Sequence, residues 1–488
     1  MLDQSFTSKN FLEIFDNENR KGKHIEKRFK IDFAESLEDL KELKNINNSI
    51  RATKNSNIRS ILYQKRKAYK KERDKKILST LELASKNIAK SKTPINICLG
   101  EIHGKQSYFL EESLENFFIS KKIQENISRT YNIKPSSRFS ILTEVVTLLK
   151  NKFPKYVIRT DIKSFYESIP QKLILDKINR DNLLSITTKK FITEVLDGYN
   201  ILTGQETSIN PLGVPRGIGF SAYLAELYMR KIDVKIKNLK DVVYYGRYVD
   251  DMIIIFTPDN KFTDASKLKQ YLGEVKKIVE EEDLSLSPVT EKTKEYNLLN
   301  GISNLKVKKI EFLGYNISSV KEANKEYELS IGLSENKEKK YKEKIKKAFD
   351  AFKKKKDINS KKAFNLLNSR LMFLTNNTKL RNNKNKVYVG VYYSNIFLNN
   401  MSELNTINNY TIWHINRTGL SVSQKLELKK NNFVDGFKSK RFILFPLKNR
   451  VYKNKNSRPT DYKNMNNKGV VQFGLTEINS IWKHKLWV

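Results

Sequence analysis

Two adjacent aspartates, Asp250 and Asp251, stand at the lip of a strongly apolar run in the stretch Tyr244–Phe256, YYGRYVDDMIIIF. The run MIIIF is short and β-branched, which reads as strand rather than helix. Unscreened carboxylates ~4 Å apart repel by about 4 kcal/mol at an intermediate effective dielectric. A chain tolerates them if the pair is well solvated, or if a cation sits between the oxygens. In a regular strand neighbouring side chains point to opposite faces. Both acids therefore reach one site only from a hairpin turn, which the flanking apolar arms permit.

A third acid, Asp161, follows the buried part of another strand, Tyr156, Val157 and Ile158, in YVIRTDIKSFYESIP, where Pro170 marks a stop. If that strand lies beside the hairpin, three carboxylates converge at one edge of a sheet. Clustered carboxylate oxygens are ligands for Mg²⁺. Two such ions ~3.5–4 Å apart activate an attacking hydroxyl and stabilise a leaving pyrophosphate. Taken singly each fragment has a bland reading: a DD pair is most often a solvated turn. The order and spacing of the fragments argue for the site.

At 488 residues, 39% of them hydrophobic, the chain is long enough for two to four domains with a sizeable core. Lys and Arg number 92 against 54 for Asp and Glu, a formal charge of +38. A polyanionic partner is the first explanation, ahead of an anionic membrane surface or a merely solvated basic coat. The single cysteine, Cys98, excludes an intramolecular disulfide and suits a reducing compartment. The four histidines, His24, His103, His414 and His484, lie far apart and have no zinc spacing. With no leader-like amino terminus and no apolar run near the ~20 residues of a membrane span, a soluble cytoplasmic protein is expected, with no membrane partner.

Residues 1–95 are charge-rich and read as a mostly helical extension. Residues 96–240 contain the first strand and a Gly/Pro loop, NPLGVPRGIGF, feeding a helix with Leu224, Leu227, Tyr228 and Ile232 on one face. Residues 241–333 hold the acidic hairpin, an amphipathic helix and the strand KKIEFLGYNIS. Residues 334–405 are lysine-dense helix, with a Tyr341, Ile345, Phe349 and Phe352 stripe that reads as core. Residues 406–488 are aromatic-rich and read as a small appended domain. Helices alternate with strands, an α+β pattern.

The blocks YVIRTDIKSFYESIP, GVPRGIGFSAYLAELYM, GRYVDDMIIIF, LSLSPVTEKTK and IEFLGYNIS occur in the order of a reverse-transcriptase palm, over about residues 125–320. The wording RYVDD and FLGY most resembles bacterial reverse transcriptases of the retron, abortive-infection and defence-associated groups. The resemblance implies a right-hand polymerase with fingers, an antiparallel-sheet palm and a helical thumb. It also implies Asp161 and Asp250 as metal-bridging carboxylates, Asp251 as their neighbour and the Ile162 carbonyl as a further ligand of two Mg²⁺, replaceable by Mn²⁺. Tyr166 stands where the family carries its gate against 2′-hydroxyls. Phe165 is a weaker candidate for the same nucleotide pocket, since strand alternation makes it core. Pro215, Arg216, Gly217 and Ser221 match the loop and helix start at the nascent base pair, with Arg216 in place of a common glutamine. Lys292 matches a lysine that protonates pyrophosphate, and Phe312, Leu313 and Gly314 match the primer grip. Arg129 and Arg138 are the candidates for triphosphate contacts from the fingers.

The expected function is RNA-directed DNA synthesis from dNTPs in antiphage defence. The partners would be an RNA template or non-coding RNA and the DNA product, together with a second copy of the chain or a neighbouring defence protein. Untemplated or protein-primed synthesis by the same palm, a group-II-intron-type maturase and a non-catalytic RNA-binding module are the alternatives. No second acid cluster suggests an RNase H domain.

Overall fold

The computed structural model describes residues 2–90, 95–102, 104–134, 136–151, 153–258, 265–321, 326–379, 387–443, 445, 450–452, 460–461 and 473–482. His103, His484 and most of the 446–488 stretch lie outside the described residues. No described helix is long and apolar enough to cross a membrane.

Helices Ser8–Arg20, Ala34–Ala52 and Ser56–Lys90 form most of the N-terminal region. Their apolar faces do not close a core of their own. Phe11 stacks on Phe118 at 4.7 Å, and Phe15, Leu81 and Ile88 join one cluster with Ile123 and Ile127 of helix Leu114–Thr130. These helices thus share one core with helix Leu114–Thr130. Strands β1 (Ile97–Ile102) and β2 (Lys105–Leu110) pair as an antiparallel hairpin ahead of that helix.

The central sheet contains β3 (Lys155–Asp161), β4 (Val242–Tyr248), β5 (Asp251–Phe256) and β6 (Lys294–Leu298), antiparallel in the order β4-β5-β3-β6. The runs Tyr156–Ile158 of β3 and Met252–Phe256 of β5, the two central strands, are unbroken apolar stretches because both faces are covered there. Tyr156, Ile158, Met252, Ile254 and Phe256 face Leu224 and Ile232 of helix Ser221–Lys237. The alternate residues Val157, Ile253 and Ile255 join a second core with helix Arg138–Lys150 and the C-terminal helices that include Ile345 and Leu367. Each such side chain contributes up to about 1.5–3 kcal/mol on burial, so a one-residue slip, which exchanges the two faces, is strongly disfavoured.

The expected strand KKIEFLGYNIS is instead a hairpin. β7 (Ile310–Phe312) turns through Leu313 and Gly314 into β8 (Tyr315–Lys321), which pairs with β9 (Tyr327–Leu333). Leu313 and Gly314 both have positive φ, 44° and 77°, the pattern of a type I′ turn whose twist suits a tight hairpin. Helices Glu335–Lys355 and Ser360–Thr375 follow. The Ile345, Phe349 and Phe352 stripe is buried, with Tyr341 packed beside it. The expected boundary at 405/406 does not hold. It cuts helix Ser402–Asn416, whose Leu404 and Ile407 enter the same core as Ile345 and Leu367, as do Phe433 and Phe437 further on. Aromatic composition marked a change of texture there, while the apolar spacing continued the same helical core.

Candidate active site

Asp161 closes β3 and Asp251 opens β5, and the two are directly opposite in the register. Ile162 donates its N–H to the Asp250 carbonyl at 3.3 Å. That bond beyond the pair makes Asp161 and Asp251 a non-hydrogen-bonded pair, the closer kind, with Cα atoms about 4.5 Å apart and side chains on one face. Asp250 lies in the two-residue connection Val249–Asp250 between β4 and β5. The aspartates therefore meet, with Asp250 in the turn and Asp251 in the first strand position rather than both in the turn. Val249 has φ 63°, an unfavourable conformation for a β-branched residue, of order 1–3 kcal/mol of strain.

Two cations lie among these acids. Lys292 donates to Asp161 Oδ2. The hydrogen bond to Asp161 raises the Lys292 pKa, aided by the charges of Asp250 and Asp251. Arg159 Nη2 donates to Asp251 Oδ1 at 2.6 Å and its Nη1 to the Lys292 carbonyl at 2.9 Å. Burial raises the Asp251 pKa; the Arg159 charge opposes this, and Asp250 and Asp161 reinforce it. Among the described residues, no three Asp, Glu, His or Cys side chains are already gathered into a closed ligand set. Asp161, however, is 2% exposed and its Oδ1 has no hydrogen-bond partner. A buried, orphaned carboxylate oxygen beside two more carboxylates fits a divalent cation, which would satisfy it and offset the repulsion. Among the described residues, no donor takes the Ile162 carbonyl either.

Tyr166 and Phe165 begin the short helical turn Phe165–Ser168, so turn geometry and not strand alternation separates them. Phe165 is core, 2% exposed. Tyr166 is partly exposed, and its hydroxyl pKa is raised by burial and by the charges of Glu226 and Asp250. The Arg216 guanidinium lies over its ring, 5.4 Å from the centroid, and pairs with Glu167 at 2.9 Å. Arg216 thus engages the turn of Tyr166 and Glu167, whereas the resemblance implied a place at the nascent base pair. Pro215 precedes it in the loop, and Val214 donates to the Tyr166 carbonyl at 2.7 Å. The Arg216 carbonyl accepts from Tyr108 of β2 at 2.7 Å. Gly217 has φ 107°, and a Cβ there would stand 2.6 Å from the Tyr108 carbonyl oxygen. Only glycine lets the loop lie this close to β2. Ser221 opens the following helix and is buried.

Phe312 is fully buried and anchors the hairpin tip. Arg138 donates to the Leu313 carbonyl and lies over Tyr315, 5.5 Å from the ring centroid. It braces the Leu313–Gly314 turn, where a triphosphate contact was expected of it. Arg129 pairs with Glu125 on its own helix at 3.1 Å. It lies roughly opposite Gln124, which faces Gly219 and bonds Tyr223, so its helix turns it away from the loop of Pro215, Arg216 and Gly217. Both arginines were read from charge in a segment whose helix phase the sequence left open.

The sequence reading omitted two further arginines. Arg159 shares the strand face of Asp161, two residues away, and that spacing was a usable signal. Arg247 is buried and donates to Asp233 through Nε at 2.8 Å, to Glu226 through Nη2 at 2.7 Å and to the Val249 carbonyl through Nη1 at 2.8 Å. Burial works against its charge, but the bonds to Asp233 and Glu226 hold its pKa well above the ordinary value. Its acids sit seven residues apart on helix Ser221–Lys237, a pairing no local pattern announces.

Residues 104–317 match the reverse transcriptase (RNA-dependent DNA polymerase) family. The chain therefore contains a reverse transcriptase domain, and its antiparallel palm sheet and flanking helices make a right-hand polymerase-type α+β fold. Solved structures with which it aligns include a telomerase from Candida albicans in complex with a TWJ fragment of telomeric RNA, at 14% identity and TM-score 0.32 over 72% of this chain and 63% of that one. Another is an apo telomerase from Candida tropicalis truncated from its C-terminal domain, at 16% identity and TM-score 0.30 over 47% of this chain and 54% of that one. The chain thus spans less than two thirds of either. No curated protein matches it.

Proposed function

We propose that this chain, carrying a reverse transcriptase domain, is an RNA-directed DNA polymerase that adds dNTPs to a 3′ hydroxyl. The observation that carries the reading is the close pairing of Asp161 with Asp251, with Asp250 in the adjoining turn and one buried Asp161 oxygen unsatisfied. Asp161, Asp250 and Asp251, with the Ile162 carbonyl, would hold two Mg²⁺ or Mn²⁺. Bound there, the ions would activate the attacking hydroxyl and stabilise the charge on the leaving pyrophosphate. Lys292, kept protonated by Asp161, is the proton donor to that pyrophosphate. Tyr166, held by Arg216, excludes a 2′-hydroxyl. Gly217 lets the loop backbone approach the nascent pair, and the Phe312–Gly314 turn supports the primer end.

The likeness of RYVDD and FLGY to defence-associated bacterial enzymes supports a setting in antiphage defence with a non-coding RNA; loss of plaque protection in the aspartate variant tests it. Primer extension with each dNTP on an RNA template tests the chemistry. Asp250→Ala with Asp251→Ala should lower the rate at least ~10³-fold, about 4 kcal/mol of barrier, with the circular dichroism spectrum unchanged. Activity equal to wild type would refute the reading. Incorporation that survives nuclease treatment would assign untemplated synthesis instead.

A further inference from the structure

Helix Ser56–Lys90 is 35 residues long, and its fully buried residues all fall in its second half. Ile77, Leu81, Ala84 and Ile88 form its buried stripe, spaced four, three and four residues apart. At ~100° per residue, continuing that stripe toward the amino end first passes Arg73 and Asp74, which lie 3.9 Å apart with Arg73 also paired to Glu26 at 2.6 Å, and then meets the four residues Lys70, Arg66, Tyr63 and Arg59. All four are exposed. A different side of the helix, half-buried at Leu62, Tyr69 and Lys76, packs on helix Ala34–Ala52, with Lys76 pairing to Asp39 at 3.0 Å. The stripe that the protein body covers in one half is thus left open in the other, and there its chemistry changes from aliphatic to cationic and aromatic.

Among the described residues, Arg59, Arg66 and Lys70 have no carboxylate partner, whereas Arg73 and Lys76 next to them do. Tyr63 is 42% exposed, and the Arg66 guanidinium lies 5.0 Å from its ring centroid. Arg59 to Lys70 spans ~16 Å of helix, a row long enough to meet several successive phosphates of one strand.

We infer that the open stripe Arg59, Tyr63, Arg66 and Lys70 binds a single-stranded segment of RNA outside the catalytic cleft. The three cations meet phosphates and the tyrosine stacks on an unpaired base. The choice of RNA over DNA rests on the polymerase reading above. A membrane surface fits less well: it would need an apolar face flanked by these cations, and the row itself holds only one ring.

The test is fluorescence anisotropy of the full-length protein with a labelled, unstructured 30-nucleotide RNA, across a salt series. DNA of the same sequence and phosphatidylserine vesicles are run in parallel. Arg59→Gln, Arg66→Gln and Lys70→Gln together should weaken RNA binding at least ~10-fold and reduce the salt slope by about 2, at ~0.7 per single-strand phosphate. Tyr63→Ala should weaken binding ~5-fold or more with the slope unchanged. The charge-conserving Arg59→Lys, Arg66→Lys, Lys70→Arg variant should bind as wild type. These side chains are exposed, so the melting midpoint should not move. An unchanged slope, an equal loss for DNA or a loss confined to vesicles overturns the inference. The Asp250→Ala, Asp251→Ala protein should keep the full slope, so failure of the arm and failure of the polymerase reading are read separately.

Discussion

Replacing Arg247 by methionine removes a guanidinium whose three nitrogens are all engaged, at 2.7–3.0 Å, by Glu226, Asp233 and the Val249 carbonyl. Methionine fills the stem but leaves Glu226 and Asp233, with side chains 17% and 20% exposed, facing each other without a cation. Breaking a buried pair by removing one partner costs about 3–5 kcal/mol, and their residual exposure points to the lower end, ~3 kcal/mol. Urea titration at pH 7, followed by tryptophan fluorescence and circular dichroism, should register that loss. Adding Glu226→Gln and Asp233→Asn should return most of it, since neutral replacement of a whole buried ionic group is often nearly neutral. Polymerisation should not return. The Val249 carbonyl has lost its clamp, and a ~1 Å shift of the Asp250 turn costs about 10²-fold. A loss under ~1 kcal/mol for Arg247→Met, or full activity in the triple variant, would refute this account of how the turn is held.

Other outcomes follow from the same geometry. Mg²⁺ at ten times its dissociation constant should stabilise wild type by about 1.4 kcal/mol, seen as a raised melting midpoint, and Asp161→Asn should abolish the shift. Lys337 lies against the Leu313–Gly314 turn, where burial and then the Arg138 charge lower its pKa to about 7. The unfolded chain then holds more protons between pH 7 and ~10.5. Stability contributed by this site should therefore rise with pH across that window, and Lys337→Met should flatten the rise in chemical denaturation at pH 7, 8 and 9. Gly217→Ala places a Cβ 2.6 Å from the Tyr108 carbonyl oxygen and should cut kcat/KM for dNTPs at least ~10-fold in single-nucleotide incorporation. Tyr166→Ala should raise kcat/KM for ribonucleotides relative to deoxynucleotides, with little change for the latter.

The palm was legible because its signals are local and repeated. MIIIF and YVI announce strands through β-branching, and their unbroken apolarity corresponds to a sheet covered on both faces. The acidic hairpin could be placed because strand period and turn geometry leave few ways for Asp250 and Asp251 to share a site. Register was not readable: nothing in the sequence says that Asp161 faces Asp251 and not Met252. Long-range ionic contacts were equally hidden. Arg138 carries the same charge whether it reaches a triphosphate or the Leu313 carbonyl, and only the packing of helix Arg138–Lys150 decides. Glycines gave partial signals, since Gly314 marked a turn that the strand reading of KKIEFLGYNIS overlooked. The helix Ser56–Lys90 was visible as helix, yet its change of chemistry along one stripe has meaning only once its buried half is known.

The most direct test of the polymerase site is electron paramagnetic resonance of Mn²⁺ titrated into the protein with RNA template, primer and a non-hydrolysable dNTP. Two ions per chain, spin-coupled through their closeness, are predicted for wild type, falling to one or none in Asp161→Asn and in Asp250→Asn. Two coupled ions retained in both variants would contradict the assignment of these aspartates as the metal site.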